Sequence, residues 1–261
     1  MARQRYPAVA GLFYPDESAE LRDAVQGLLA AVEPSGPPPK AIIAPHAGYV
    51  YSGPVAASAY AQVLPLASTV RRVVLLGPTH RVAFSGIAMS AADAFLTPLG
   101  AVPVDSDAFD LIADLPHVRL LEAAHAQEHS LEVQLPFLQA ALADFKLVPL
   151  VVGEASPDVV AQVLERLWGG PETLIVVSSD LSHYHDYATA RRMDLETSAQ
   201  IESLSRAEID GDHACGCRPV NGLLRAARRH GLHARLLDLR SSGDTAGPRD
   251  RVVGYGAYAF S

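Results

Sequence analysis

Cysteine is nearly absent from the chain: Cys215 and Cys217 are the only two in 261 residues. One residue separates them, which suits neither a disulfide framework nor the usual zinc pair, so a reducing cytoplasm is the expected setting. No apolar run reaches 18 residues, so no hydrophobic membrane-spanning helix is expected. The opening MARQRYPAVAGLFYPDESAE carries positive charge but no hydrophobic core of the kind a secretory leader needs, and none is expected. Basic residues are outnumbered, 21 Lys and Arg against 29 Asp and Glu, for a net charge of −8. A general nucleic-acid binder needs a basic stripe, whereas Arg191-Arg192 and Arg228-Arg229 are isolated pairs. No internal repeat of fixed period is present.

What is present is a large apolar fraction, 49%, enough for a sizeable core. Residues 1–16 read as a loop or short edge, and Asp16-Glu17-Ser18 as the cap of a helix to Val32 with Leu21, Val25, Leu28 and Leu29 on one face. Pro34 to Pro39 is a stiff surface connector. Strands are expected at Ala41–Ala44, Arg72–Leu76, Lys146–Val152, Leu174–Val177, Ala234–Leu239 and Val252–Phe260. Residues 81–104 read as irregular, with short strands near Gly86 to Ser90 and Val102. Pro149 marks its strand as an edge or a bulge. Helices are expected after Gly53 through Ala56, Ala59, Tyr60 and Val63, from Asp105, from His129 (kinked or started at Pro136), from Ser156-Pro157, over 188–204, from Arg206, and from Val220. Strands and helices alternate, so the expected class is α/β: one domain over residues 1–261, with a central, mostly parallel or mixed sheet flanked by helices on both faces.

Three apolar strands end in an imidazole: AIIAPH at His46, VVLLGPTH at His80 and LIVVSSDLSH at His183. Parallel strands bring their carboxyl ends to one edge of a sheet, where ligands bind. Three neutral imidazoles there suit a borderline metal, with iron(II), zinc and copper all open. Three protein ligands leave positions for water, oxygen or substrate. Asp180, three residues before His183, is either a further ligand or the acceptor that fixes an imidazole tautomer. His129 follows Glu128 at a helix start. Either Glu128-His129-Ser130 is simply a cap, or His129 enters the same pocket as a general acid/base. Cys215 reads as a nucleophile, a redox-active thiol or a buried small residue. Tyr49 and Tyr51 read as pocket walls or core. His117, His230 and His233 read as surface, and His125, His185 and His213 as surface or pocket rim.

PHAGYVYSG (45–53), GPTH (77–80), EHSLEVQLPFL (128–138), SSDLSHY (178–184) and ACG (214–216), with AGLFYP (10–15), resemble the signature blocks of the Memo family. Its bacterial and archaeal members are called AmmeMemoRadiSam system protein B, and its superfamily relatives are the LigB-type class III extradiol dioxygenases, which use non-haem iron(II). The resemblance implies that fold, a metal site at His46, His80 and His183, and neighbouring catalytic roles for His129, Asp180 and Cys215. It also implies iron or copper, redox chemistry, and small-molecule or peptide ligands. By family association it implies AMMECR-type and radical-SAM partners. The dioxygenases complete their site with a carboxylate, where this chain offers His183, and Cys217 is an additional thiol. Three readings follow: a non-haem iron or copper oxidoreductase with dioxygenase-like activity on a small substrate, a zinc-dependent hydrolase or lyase, and a non-catalytic metal- or peptide-binding module.

Overall fold

The computed structural model describes residues 3–261, and its elements follow the apolar pattern of the chain. After β1 (Gln4–Arg5), α1 (Ser18–Ala30) buries Leu21, Val25 and Leu29, the stripe that lays a helix on a core. Its N-cap is Glu17, with no side-chain capping bond. The buried β2 (Ala41–Ala44) leads into α2 (Tyr49–Ala61), so the helix starts inside the PHAGYVYSG block, earlier than the sequence suggests. Then come β3 (Arg72–Pro78), β4 (Ile87–Met89), β5 (Ala94–Thr97), β6 (Gly100–Pro103), the single turn α3 (Ser106–Phe109), β7 (Val118–Leu120) and α4 (Glu122–Ala126). The helix expected from His129 is divided into α5 (His129–Glu132) and α6 (Leu135–Ala141). Pro136 lies in the first turn of α6, where its missing N–H has no intrahelical bond to lose.

The second half runs β8 (Lys146–Val152), α7 (Pro157–Leu167), β9 (Thr173–Ser178), β10 (His183–His185), α8 (Tyr187–Glu202), α9 (Cys217–Arg229), β11 (Ala234–Ser241), α10 (Ser242–Thr245) and β12 (Val252–Phe260). Ser156 caps α7 by accepting from the Val159 N–H. The helix expected from Arg206 does not form. Asp210 instead accepts the N–H groups of Asp212 and His213, a local bonding that favours a turn, and Asn221 holds Ile209 by both backbone groups. That turn lets α9 start at Cys217 rather than Val220.

The main sheet has the order β10-β12-β2-β9-β3-β8-β4-β7, with β11 also on β12, and β1, β5 and β6 form a small second sheet. The centre, β2-β9-β3-β8, is parallel, and antiparallel strands flank it. Alternation along β3 sends Val73 and Leu75 into a core with α1, α2 and α6. Val74 and Leu76 go into a second core with α7 and α9. The expected mixed α/β fold with helices on both faces is therefore present. β8 is not an edge, since β3 and β4 flank it. Its Pro149 is tolerated because β4 pairs only as far as Leu150 and the bridge from Val104 reaches only Leu147, leaving a gap between them. No helix among the described residues is long and apolar enough to cross a membrane.

Candidate metal centre

The register of the parallel strands aims three chain segments at one spot. Ala44 sits opposite Ser178, and Leu76 opposite Val177. His46, Asp180 and His80 each lie two residues beyond the last residue of their strands, so they leave the sheet side by side. They open into a cavity of about 610 Å³ whose wall also contains His129, His183 and Tyr255. His46, His80 and Cys215 each bring one potential ligand atom to within 4.8 Å of the other two. A second group, His80, Glu128 and His129, meets the same limit.

His46 is held from behind. Its Nδ1 lies 2.8 Å from Ser178 Oγ, which donates its one proton to the Ser130 carbonyl at 2.6 Å and accepts from Gln134 Nε2 at 2.8 Å. Nδ1 must therefore be the donor, and the lone pair of Nε2 faces the cavity. Burial, then the neighbouring His80, keeps the His46 ring well below the usual imidazole range, so it stays neutral.

The EHSLEVQ block braces the other groups. Glu128 is buried and accepts from the His80 backbone N–H at 2.6 Å, from His80 Nδ1 at 2.8 Å, and from the Ser130 N–H at 2.9 Å. Burial alone raises this carboxyl, but the hydrogen bonds and charge of His80 outweigh it and bring it to about 2. The carboxylate fixes the proton of His80 on Nδ1 and again leaves Nε2 for the cavity. Ser130 donates to the Pro78 carbonyl at 2.9 Å, and α5 packs so closely on β3 that a Cβ at Gly77 would stand 2.7 Å from Ser130 Oγ. Glu132 is wholly buried and pairs with Arg5. It accepts from the Ala8 and Val9 N–H groups and from the Tyr14 hydroxyl at 2.6 Å, which ties down the segment that carries Phe13 to the cavity.

His129 stacks on His80 at 4.7 Å between ring centroids and lies edge-on to His46 at 5.4 Å. Its buried Nδ1 lies 3.4 Å from Glu128 Oε1 but makes no well-formed hydrogen bond. Burial and then the nearby His46 lower it to about 4, so near neutrality it is an uncharged ring able to accept a proton. Asp180 accepts the His46 N–H at 2.7 Å, and its own N–H points at Cys215 Sγ, 3.3 Å away. Burial pushes the Asp180 carboxyl up against the pull of that bond. Cys215 Sγ lies 3.3 Å from His46 Nε2, and burial followed by the Asp180 charge pushes the thiol up. Gly216 is required behind it, because a Cβ there would stand 2.6 Å from that of Ser179.

All six residues singled out from the sequence, His46, His80, His129, Asp180, His183 and Cys215, thus meet at this edge. The tight group differs from the expected three histidines. His183 is on the wall, its Nδ1 donating to the Leu181 carbonyl at 2.8 Å, but Cys215 takes its place beside His46 and His80. The reason is geometric: His183 lies five residues beyond the end of β9, in β10, while the start of α9 brings Cys215 directly against the strand end. His125, read as surface or rim, is buried and bonds the Ala88 carbonyl at 3.0 Å. Glu128 caps α5, Glu132 ends it and Gln134 caps α6, so the three bracing side chains come from the EHSLEVQ block where two short helices meet on the sheet. Two imidazoles with free Nε2 lone pairs and one thiol fit a borderline or soft divalent metal, which would draw off the thiol proton.

Comparison with known proteins agrees with this architecture. The family model of Memo-like proteins matches residues 5–259. A MEMO1 family protein of Aquifex aeolicus is 38% identical over 97% of each chain. One of Methanopyrus kandleri is 36% identical over 98% of this chain and 99% of its own. A crystal structure of an uncharacterized protein from Escherichia coli K12 shares the fold, with a TM-score of 0.51 at 14% identity, covering 82% of this chain and 98% of that one. With its signature blocks gathered around one cavity and matched nearly end to end, this chain belongs to the Memo-like family.

Proposed function

We propose that His46, His80 and Cys215 hold a divalent transition metal, iron(II) or copper, in a non-haem oxidoreductase that acts on a small substrate. The observation that carries this reading is the approach of the three donors to within 4.8 Å of one another, with His46 and His80 lining an open cavity. A redox metal held there would supply electron-transfer and oxygen chemistry. The protein's own part is to orient and to move protons. Ser178 and Glu128 fix the two imidazoles, and Asp180 fixes the backbone of His46 and the thiol. His129 is the ring placed to exchange a proton with the bound substrate, and His183, whose Nδ1 is committed to the Leu181 carbonyl, lines the same cavity. The free thiols of Cys215 and Cys217 fit a reducing cytoplasm.

The thiol also favours one second reading, a zinc hydrolase, since a His/His/Cys set with an open position suits zinc as well. Elemental analysis and optical spectroscopy of anaerobically purified protein separate the two. Iron or copper at one equivalent supports the oxidoreductase, and stoichiometric zinc contradicts it. His129→Ala is expected to abolish turnover while keeping the metal. A chain that never turns over a substrate is a binding module.

A further inference from the structure

We infer that Arg206, Arg225, Arg228 and Arg229 form a binding site for a phosphate chain, free polyphosphate or the phosphates of a nucleotide, remote from the metal centre. The inference is independent of the metal reading. In the sequence Arg228-Arg229 is an isolated pair, but the fold adds two guanidiniums to it. Arg225 lies one turn earlier on α9, and Arg206 comes from the segment after α8. These four side chains line a cavity of about 430 Å³. A helix rises about 1.5 Å per residue, so Arg229 lies roughly 18 Å along α9 from Cys217, at the end away from the metal centre.

The cluster is held together by specific bonds. Arg228 donates through Nη1 to the Leu204 carbonyl at 2.7 Å and to the Ser205 carbonyl at 2.5 Å, which fixes the turn that presents Arg206. Leu204 makes that turn with φ +49°, a left-handed backbone that ordinarily favours glycine. Arg225 pairs with Asp158 of α7, and Arg229 reaches Asp158 at 3.7 Å and Glu165 at 3.6 Å. Among the described residues, Arg206 has no side-chain partner, and neither do Nη2 and Nε of Arg228. Four guanidiniums thus face two carboxylates, one of which, Glu165, also holds His230 at 2.8 Å. The C-terminal dipole of α9 offsets only about half a charge of the remaining two. Burial, then the charges of Arg225, Arg206 and Arg229, push the Arg228 guanidinium below its ordinary range.

A bound anion relieves that repulsion, and the unspent donors of Arg206 and Arg228 decide its kind. One planar fork uses both oxygens of a carboxylate, whereas a phosphate has three acceptor oxygens and can bridge two forks. No aromatic or aliphatic side chain lines the cavity, so recognition is through charge. A phosphate chain supplies the two or more negative charges that the site needs.

The test is calorimetric titration of the full chain, as purified and again after chelation, with tripolyphosphate, ATP, citrate and hexaglutamate at equal ionic strength. Tripolyphosphate should bind at one per chain in both forms, about tenfold or more tightly than citrate or hexaglutamate. Arg206→Gln, at an exposed position, should weaken it about tenfold, and adding Arg229→Gln should weaken it further, with metal content unchanged. Arg191→Gln with Arg192→Gln removes equal charge from the exposed face of α8 and should change the affinity less than about twofold. Tighter binding of ATP than of tripolyphosphate assigns the site to a nucleotide, and equal or weaker binding assigns it to free polyphosphate. Absence of tripolyphosphate binding, or citrate or hexaglutamate bound as tightly, overturns the site. So does affinity that survives Arg206→Gln with Arg229→Gln, or that falls equally in the α8 control.

Discussion

The Ser178 hydroxyl lies 2.8 Å from His46 Nδ1 and 2.6 Å from the Ser130 carbonyl, and its single proton can serve only the carbonyl. One serine therefore decides which nitrogen of His46 faces the cavity. Ser178→Ala removes that lock. Metal affinity, read by competition with a chelator, is expected to fall about 10- to 100-fold while the protein stays folded. Unchanged affinity would contradict the role given to Ser178.

Glu132 ties the N-terminal segment to the floor of the cavity through Arg5, Ala8, Val9 and Tyr14. Removing one partner of a buried ion pair leaves the other charge stranded. Glu132→Ala should therefore cost about 3–5 kcal/mol in urea unfolding. The double change Arg5→Met with Glu132→Leu strands no charge and should cost less than Glu132→Ala. A loss below about 1 kcal/mol in Glu132→Ala would show that the pair is not needed.

His125 sits in the core, with Nε2 donating to Ala88 and Nδ1 without a partner. Burial lowers it from 6.5 to about 4. The unfolded chain therefore takes up a proton first as pH falls. The stability due to neutral His125 is complete above pH 6.5 and is lost between pH 6.5 and about 4. The loss amounts to about 3 kcal/mol by the lower limit of that window. His125→Gln cannot titrate and should show a stability curve flatter by that amount. Parallel curves for the two proteins, from urea midpoints across the window, would contradict this.

The sheet and its loaded edge were legible in the sequence because buried parallel strands read as continuous apolar runs, and AIIA, RVVLL and LIVV end in His or Asp within a few residues. Convergence at the carboxyl edge follows from parallel pairing alone. The sequence does not reveal how far the chain travels after each strand. His183 and Cys215 both come from segments after β9, and only the packing of Gly216 on Ser179 shows which one reaches His46. The helix expected from Arg206 failed for a related reason. Asp210 and Asn221 satisfy the backbone locally, and propensity alone does not weigh those bonds against a helix. In EHSLEVQ the sequence shows Glu128 and His129 at a helix start, but the purpose of its polar side chains needed the partners: His80 for Glu128, Arg5 for Glu132, and Ser178 for Gln134.

In the proposed metal set Cys215, rather than His183, joins His46 and His80. The most direct measurement is metal content, by elemental analysis, of anaerobically purified Cys215→Ala and His183→Ala beside the parent chain. Cys215→Ala is expected to lose most of its metal and His183→Ala to retain it. Full occupancy in Cys215→Ala together with loss in His183→Ala would contradict the account and restore the three-histidine set.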